Sequence, residues 1–412
     1  MNAEVPLTAS PWVTPWEVED GNSLAARLYE QTFGFPHDGV WSAPGSVMIA
    51  GEHSDYTGGR SLPVTLDHRT YIAAGLRDDS EVCIISHVGM RPGERRDVIR
   101  MPLENLEPST VPAWAFHAVG TIIALQERGY DGQGLNLALD SCVPVGAGLG
   151  DSASVSVATA RATEALWRLS LANEAGREIL AEACRSVEIH PGTVASGGAY
   201  QYAALFEERG HALELDFSTE PPHRTLASLG LADYGLTLFL TLTGVDYWLD
   251  TDRMTQRRRE CEEAAQQLGV PELGSLQSTP EVLESIAALE DPTLRKRARH
   301  VVTETERVRT IVEELASTAP AHERFLTIGA QLFKANTSLA VDFDLAFKEA
   351  ELAVRTAWQI GALGARVVDG GGGGCTLTLA RTSSVNSITE AVVEAFRASG
   401  LNTPRFLAVY ST

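Results

Sequence analysis

A glycine-rich stretch that runs directly into an amphipathic helix constrains this chain more than any other feature. The stretch reads Val143-Pro-Val-Gly-Ala-Gly-Leu-Gly-Asp-Ser-Ala-Ser-Val155, and apolar residues continue beyond it at helical spacing. Gly146, Gly148 and Gly150 permit positive φ angles that turn backbone N–H groups inward, and the helix adds its unpaired N-terminal donors. The junction predicts an anion site for phosphate, although a purely structural turn accounts for the glycines equally well. It is not a Walker loop, because no Lys-Ser or Lys-Thr follows the glycines.

The size, charge and cysteine content of the chain narrow the class of protein. Its 412 residues are enough for two domains with full cores. The formal net charge of -21 disfavours binding to nucleic acid or anionic lipid, so a phosphate site must be built locally from backbone donors and a metal. Five scattered cysteines without a C-x-x-C pair fit neither a disulfide framework nor a zinc site. With no signal peptide or membrane span in the sequence, we expect a cytoplasmic protein that binds neither nucleic acid nor membranes.

Hydrophobic patterning predicts a mixed α+β fold. Short β-rich runs alternate with helical patterns to about residue 206, and a second mixed region follows. We predict an N-terminal arm over residues 1–20, an N-terminal domain over 21–210 and a C-terminal domain over 211–412. The polar runs 257–263 and 295–300 are interpreted as solvated helix faces rather than ligand sites. The predicted elements include helices over 23–33, 257–268, 294–315 and 346–360 and strands over 82–85, 135–139, 236–242 and 375–379.

Two further motifs accompany the glycine-rich stretch. The first is Ala43-Pro-Gly-Ser-Val-Met-Ile-Ala-Gly-Glu-His-Ser-Asp-Tyr-Thr-Gly-Gly59, and the second is Gly364-Ala-Arg-Val-Val-Asp-Gly-Gly-Gly-Gly-Gly-Cys375. In this order and spacing the three motifs resemble the signatures of the GHMP kinase superfamily, and Gly-Glu-His-x-Asp-Tyr-x-x-Gly resembles the galactokinase motif in particular. The resemblance covers nearly the whole chain. It implies a two-domain GHMP-kinase-like fold with the active-site cleft between the domains.

The resemblance implies binding of Mg-ATP, with ATP-dependent phosphorylation of a sugar hydroxyl as the family reaction. It nominates the Ser152 hydroxyl and the Glu188 carboxylate as Mg²⁺ ligands, which are the hard oxygen donors that Mg²⁺ prefers. A plain helix cap is an equally good account of Ser152. The implied ATP-binding residues are Gly146, Ala147, Gly148, Leu149, Gly150, Asp151, Ser152 and Ala153.

The same resemblance implies that a galactose-like sugar contacts Glu52, His53, Asp55 and Gly371. Carboxylates accept hydrogen bonds from neighbouring hydroxyls, so the acidic cluster of the first motif suits a polyol. The glycine run 370–374 would let the backbone pack close to both the sugar and the phosphate cradle.

The chain departs from the galactokinase pattern at the catalytic positions. Ser46 stands where the family has an Arg that helps to stabilise the reaction, and Arg60 or Arg366 would have to compensate for it. Tyr200 stands at the position of the catalytic Asp of a Cys-Gly-Ile-Met-Asp-Gln segment, which reads Ser-Gly-Gly-Ala-Tyr-Gln here. A phenol that ionises near pH 10 is protonated at neutral pH and is unsuited to act as a base. Met254 replaces the sugar-contacting Tyr of the family.

Asp151 is a further departure, because relatives carry a small Ser or Gly in this part of the cradle. Two like charges about 4 Å apart repel by roughly 4 kcal/mol at an effective dielectric near 20. The Asp151 carboxylate must therefore either bind the metal or cap the helix and occupy the anion site itself. The sequence leaves both alternatives open.

Two functions follow from these matches and departures. The first is an ATP-dependent sugar kinase with altered or weakened turnover, since phosphoryl transfer depends mainly on positioning and charge stabilisation. The second is a catalytically inactive galactokinase-like sensor of sugar and ATP that acts through a protein partner. Loss of the Asp is compatible with the first, the simultaneous loss of the Arg is harder to reconcile with it, and four altered positions around one site argue for the second, because a fold does not fix a function.

Overall fold

The structure, a computed structural model, describes residues 10–90, 93–188, 196–245, 251–368 and 374–410. Its helices are α1 (Val18–Phe33), α2 (Phe116–Glu127), α3 (Asp151–Trp167), α4 (Glu174–Val187), α5 (Ala199–Leu205), α6 (Thr251–Gln267), α7 (Pro280–Ala287), α8 (Pro292–Ala316), α9 (Ala321–Asp342), α10 (Lys348–Gln359) and α11 (Val385–Ala398). Its strands are β1 (Gly39–Ala50), β2 (Arg60–Leu76), β3 (Glu81–Ser86), β4 (Ile99–Pro102), β5 (Leu135–Ser141), β6 (His211–Asp216), β7 (His223–Ser228), β8 (Leu236–Leu242), β9 (Gly364–Val368), β10 (Cys375–Arg381) and β11 (Arg405–Ala408).

The first sheet has the strand order β4-β3-β5-β2-β6-β7, and β1 also pairs with β2. Only β3 and β5 run parallel among these pairs of described strands. Strand β2 is buried on both faces, because each face packs against a hydrophobic core. Successive side chains of a strand point to opposite sides of the sheet. Ile72 and Ala74 join the core that contains α2, α3 and α4, whereas Tyr71 and Ala73 pack with residues of α1.

The second sheet is antiparallel and has the order β11-β8-β10-β9. The N-terminal segment extends it, since Val13 N donates to Phe406 O at 2.7 Å and Phe406 N donates to Pro11 O at 2.8 Å. The Trp12 ring packs against both Phe239 and Phe406, with ring centroids 6.0 and 5.6 Å away. The predicted α+β class is confirmed by these two sheets and their helices.

Most predicted elements occur close to their predicted bounds. Strand β8 spans the predicted residues 236–242, and α3 begins directly after Gly150. The first sheet continues past residue 210 through β6 and β7, and the domain boundary at 210/211 stays a prediction. None of the described helices combines the length and the apolar character that crossing a bilayer requires.

The interpretation of runs 257–263 and 295–300 as solvated helix faces is wrong for three of their residues. Arg257, Arg297 and His300 are 6%, 2% and 0% exposed. The two arginines are buried because the unpaired carbonyls at the end of α9 attract cations. His300 is buried because its ring nitrogens lie within hydrogen-bond distance of Ser338 Oγ and Glu52 O. Arg257 Nε donates to Phe343 O at 2.7 Å, and Arg297 Nη1 donates to Asp342 O.

The lowered pKa values of buried histidines predict how the stability of the protein depends on pH. Burial lowers the pKa of His68 and of His300 to about 4 from the usual 6.5. Between these pH values the unfolded chain binds the protons and the folded chain does not, so stability falls as the pH drops from 6.5 to 4. At pH 5 the loss is roughly 2 kcal/mol for each histidine.

Because burial also holds the pKa of His53 well below its usual range, the change His68→Leu is expected to remove about a third of the pH 7 to pH 5 loss that the three buried histidines cause, as measured by urea unfolding at both pH values. The matched control is His322→Gln, because the His322 side chain is 73% exposed and should leave the pH dependence unchanged. An identical loss in the wild type and in His68→Leu would contradict the assignment.

Candidate active site

The glycine-rich loop has the backbone geometry that the sequence predicts. Gly146, Gly148 and Gly150 have φ angles of 71°, 72° and 64°. Gly150 is the N-cap of α3 and, as a glycine, has no side chain to cap the N–H groups of this helix terminus. The loop is held against β1 by a 2.8 Å hydrogen bond from Ser46 N to Leu149 O. These contacts leave a turn of backbone donors at the start of a 17-residue helix, which is the arrangement that binds anions.

Ser46 lies directly against this loop. It is 1% exposed, and a Cβ atom built on Gly150 would lie 3.2 Å from Ser46 N. The Ser46 Oγ atom is buried and has no hydrogen-bond partner among the described residues. The Ser46 side chain thus lies beside the phosphate loop, where the Arg that the resemblance implies would bring a positive charge. The hydroxyl group of Ser46 contributes no charge to the loop.

The Asp151 carboxyl group lies at the same loop. Burial raises the pKa of Asp151, and the negative charge of Glu188 acts in the same direction. His117 and the N–H groups of Asp151 and Gly146 lower it. The proximity of the Gly146 N–H supports the second of the two alternatives, in which the carboxylate occupies the anion site.

Glu188 and Ser152 are the residues that fit a divalent cation. Glu188 is 7% exposed, and its Oε1 atom accepts a 3.2 Å hydrogen bond from Gln201 Nε2 and lies 3.7 Å from His117 Nδ1. Because Glu188 raises the pKa of Asp151, a cation between the two carboxyl groups would relieve their repulsion. Among the described residues, no group of three or more His, Cys, Asp or Glu side chains is arranged to hold a metal by itself. A metal here therefore needs other oxygen donors, such as the Ser152 hydroxyl, phosphate or water.

Glu52 of the first motif is fixed by a buried ion pair with Arg366. The Arg366 side chain is fully buried, its Nη2 atom donates to Glu52 Oε2, and its Nη1 atom donates to Ile49 O at 3.1 Å. Arg60, the other candidate to compensate for the missing Arg, contacts Glu214 at 2.5 Å and Asp216 at 2.6 Å. Both arginines are thus engaged by carboxylates of other segments.

His53 is a neutral imidazole in an aromatic setting. Its ring stacks on Phe343 with centroids 4.6 Å apart and an interplanar angle of 16°. Burial holds the pKa of His53 well below its usual range, and nearby cations, including Arg366 and Arg257, act in the same direction. The Nε2 atom is buried and has no hydrogen-bond partner within the described part of the chain. A neutral ring with a free nitrogen can donate to or accept from one sugar hydroxyl.

The remaining predicted residues cluster around the start of α5. Asp55 Oδ2 accepts hydrogen bonds from Gly197 N at 2.8 Å and from Ser196 Oγ at 3.2 Å. The Tyr200 hydroxyl donates to Gly148 O at 3.5 Å, so the phenol reaches the phosphate loop. Gly371 lies outside the described residues.

Sequence reasoning missed three contacts of this site. It did not find His117 beside Glu188, the Glu52 partner of Arg366, or the binding of Asp55 by Ser196 and its neighbour. One signal was available for His117, since it is an ionisable residue in the first turn of helix α2, whose middle is mostly apolar. No spacing rule predicts the other two contacts, because their partners lie 314 and 141 residues apart.

Comparisons with known proteins agree with this geometry. Residues 27–76 match the galactokinase galactose-binding signature, and residues 117–208 match the GHMP kinases N terminal domain. The galactokinase of Streptomyces coelicolor is 34% identical over 393 residues, covering 93% of this chain and 96% of that protein. The galactokinase of Bos taurus is 32% identical, covering 90% of this chain and 91% of that protein.

Solved structures give the same result at the level of the fold. The crystal structure of Lactococcus lactis galactokinase complexed with galactose has a TM-score of 0.82 at 26% identity, covering 94% of this chain and 97% of that one. Methanococcus jannaschii mevalonate kinase has a TM-score of 0.61 at 14% identity, covering 90% of this chain and 97% of that one, and shares the fold alone. With its two-domain α+β fold and its three motifs, the chain belongs to the galactokinase family of the GHMP kinase superfamily.

Proposed function

We propose that this chain binds Mg-ATP and a galactose-like sugar and transfers a phosphoryl group to a sugar hydroxyl at a strongly reduced rate. The observation that carries the proposal is the loop at Gly146, Gly148 and Gly150, whose positive φ angles and position at the start of α3 suit a nucleotide phosphate. Mg-ATP supplies the phosphoryl group and the cation that neutralises its charge. Ser152 and Glu188 are the protein oxygens proposed to bind that cation.

The sugar is proposed to bind where the first motif meets α9. Glu52 is held in place by Arg366, so its carboxylate offers a fixed acceptor for hydroxyl groups. His53 offers its free Nε2 atom and stacks on Phe343. Both groups are oriented before the sugar arrives, which lowers the entropy cost of binding.

The reduced rate follows from two missing groups. A positioned general base contributes about 10²- to 10⁴-fold, and the Tyr200 phenol has no such role at neutral pH. Ser46 places a hydroxyl where a cation would stabilise the transferred group. Binding, orientation and the cation of Mg-ATP remain to accelerate the reaction.

The second candidate function is a sensor that binds sugar and nucleotide without turnover and acts through a protein partner. The position of the Asp151 carboxyl group beside the Gly146 N–H favours it, because a carboxylate in the phosphate cradle opposes the productive position of a triphosphate. Kinase and sensor differ in whether ADP appears.

The test combines thermal unfolding with an assay of ADP release. We expect Mg-ATP to raise the melting temperature of the wild type and a panel of hexoses to raise ADP release only slightly above the sugar-free rate. The variant Gly148→Ala should lose the Mg-ATP stabilisation, because alanine is strained at a φ of 72°. Gly269→Ala is the matched control, since Gly269 has a φ of 71° and nothing lies within 4 Å of the added Cβ.

Three outcomes separate the candidates. Sugar-dependent ADP release supports the weakened kinase. Stabilisation by both Mg-ATP and galactose without any ADP supports the sensor. If Mg-ATP stabilises neither the wild type nor Gly269→Ala, the proposal fails.

A further inference from the structure

Two residues of the first motif, separated only by Glu52, have left-handed backbone conformations. Gly51 has a φ of 92° and His53 has a φ of 62°. Glycine adopts such an angle readily, whereas a residue with a Cβ atom does so only at a cost in free energy. A strained angle of this kind persists where the surrounding structure fixes it. The backbone on either side of Glu52 therefore needs partners that hold its peptide groups.

Helix α8 supplies a partner for each of these peptide groups. Glu304 Oε1 accepts a 2.9 Å hydrogen bond from Gly51 N, and His300 Nε2 lies 3.1 Å from Glu52 O. His300 and Glu304 are four residues apart, so they lie on the same face of the helix. The peptide group that contains Glu52 O directly precedes His53 and defines its φ angle. The contact with His300 therefore fixes the plane from which the His53 residue extends.

The two side chains on α8 are themselves held in place. Both are fully buried, and His300 Nδ1 lies 3.0 Å from Ser338 Oγ on α9. Glu304 Oε2 accepts a 2.6 Å hydrogen bond from Arg307 Nε. Burial lowers the pKa of His300 to about 4, so at neutral pH the ring carries a single N–H. A carbonyl oxygen can only accept, so this N–H is on Nε2 and donates to Glu52 O.

The rings of His300 and His53 also share an aromatic neighbour. The His53 ring stacks on Phe343 with centroids 4.6 Å apart, and the His300 ring packs on Phe343 with centroids 4.5 Å apart. His300 thus bears on His53 in two ways, through the backbone at Glu52 and through the ring of Phe343.

We infer that His300 is a positioning residue of the sugar site, which acts with Glu304 to hold the backbone of the first motif so that Glu52 and His53 face the sugar. The inference rests on the proposed function, because it concerns a galactose-like sugar that binds at Glu52 and His53. His300 acts through the peptide group at Glu52 and does not contact the sugar. The Glu52 carboxylate is held in addition by Arg366.

The positioning role is measured by calorimetric titration with galactose and with Mg-ATP. His300→Leu leaves Glu52 O buried without its donor, so we expect galactose binding to weaken by about 10-fold and Mg-ATP binding to change by less than about 3-fold. His300→Gln places an amide N–H near the position of Nε2, and galactose binding should return to within about 3-fold of the wild type. If His300→Gln binds galactose as weakly as His300→Leu, the donor role is overturned.

The matched control is Val302→Ala. Val302 is also fully buried on α8, but it packs in the cluster that contains residues of α6 and α7. The smaller side chain should lower the melting temperature and leave the affinity for galactose unchanged. An equal loss of galactose affinity in Val302→Ala and His300→Leu would mean that general destabilisation is responsible, and it would overturn the inference.

A second measurement follows His53 by NMR of protein with ¹³C-labelled histidine. The His53 resonance is the one that His53→Gln lacks among the ten histidines of the chain. We expect this resonance to differ between His300→Leu and His300→Gln. Because both variants lack the ring of His300, the comparison isolates the N–H group. Ser338→Ala is a milder variant that should fold even if His300→Leu does not, and it should also shift the His53 resonance.

Failure of the inference and failure of the proposed function give different results. If the wild type releases no heat with galactose, the proposed sugar site is wrong, and the His53 resonance still decides whether His300 positions His53. A His53 resonance that stays at its wild-type position in folded Ser338→Ala and is the same in His300→Leu and His300→Gln overturns the positioning role.

Discussion

The double variant Tyr200→Asp with Ser46→Arg is expected to transfer phosphate to galactose about 10²- to 10⁴-fold faster than the wild type. The range is the usual contribution of a positioned general base. The arginine adds positive charge where negative charge develops on the transferred group. Because both groups act on the same transition state, we expect their effects to be coupled. The logarithm of the rate should therefore rise in each single variant by much less than half of its rise in the double variant.

The structure indicates that these two positions are close enough to act together. The Tyr200 hydroxyl contacts Gly148 O, and Ser46 N contacts Leu149 O, so both residues flank one loop. Aspartate is shorter than tyrosine and would vacate the space over Gly148. Arginine at position 46 would replace a hydroxyl that has no hydrogen-bond partner among the described residues.

The measurement is sugar-dependent ADP release at saturating Mg-ATP, with circular dichroism melts to verify folding. The matched control carries the same two exchanges at exposed positions, Tyr234→Asp with Ser383→Arg, and should keep the wild-type rate. A double variant that folds and binds Mg-ATP but gains no activity would show that the lost base and the lost arginine are not the main barrier.

The parts of the site that depend on local geometry could be predicted from the sequence. Positive φ at Gly146, Gly148 and Gly150 and the start of α3 at Asp151 both follow from glycine spacing and a neighbouring helical pattern. Strand β8 could also be predicted from the sequence, because Leu236–Leu242 is a short apolar run with two threonines.

The parts that depend on distant partners could not be predicted from the sequence. Arg257 looks solvated in a charged run, yet its partner is a carbonyl 86 residues later at the end of α9. A charge pattern shows which helix face is polar and does not show whether helix ends will cover that face. The ion pair between Glu52 and Arg366 spans 314 residues and depends on how β1 and β9 meet.

The resemblance to galactokinases located the altered positions without showing their consequences. It placed Tyr200 at the catalytic position, and only the structure shows that the phenol reaches Gly148 O. It also assigned Asp55 to the sugar, and only the structure shows that the Asp55 carboxylate accepts hydrogen bonds from the turn at 196–198.

Replacing Asp151 with serine, the small residue of relatives, is expected to tighten Mg-ATP binding by about 10- to 100-fold. Repulsion between the Asp151 carboxylate and a phosphate about 4 Å away would reach roughly 4 kcal/mol at an effective dielectric near 20, and a bound cation reduces it. The N–H of Gly146, which lies close to the Asp151 carboxyl group, would then be free for the nucleotide.

Asp151→Asn separates charge from occupancy of the cradle. The amide has nearly the same shape and keeps one acceptor oxygen for the Gly146 N–H, but it has no charge. If repulsion dominates, both Asp151→Asn and Asp151→Ser bind Mg-ATP more tightly than the wild type. If the side chain blocks the cradle by filling it, only Asp151→Ser gains affinity. Asp252→Asn, a change of an exposed carboxylate, controls for the altered net charge.

The sign of the Asp151→Ser effect decides between the two roles that the sequence leaves open. A carboxylate that binds the metal contributes affinity, so its loss would weaken Mg-ATP binding and leave metal-free ATP nearly unaffected. A carboxylate that occupies the anion site opposes ATP with or without metal, and most strongly without it, because no cation then screens the repulsion. Calorimetric titrations with Mg-ATP and with ATP in EDTA therefore distinguish the two. Tighter binding under both conditions is the result that the contact with Gly146 predicts.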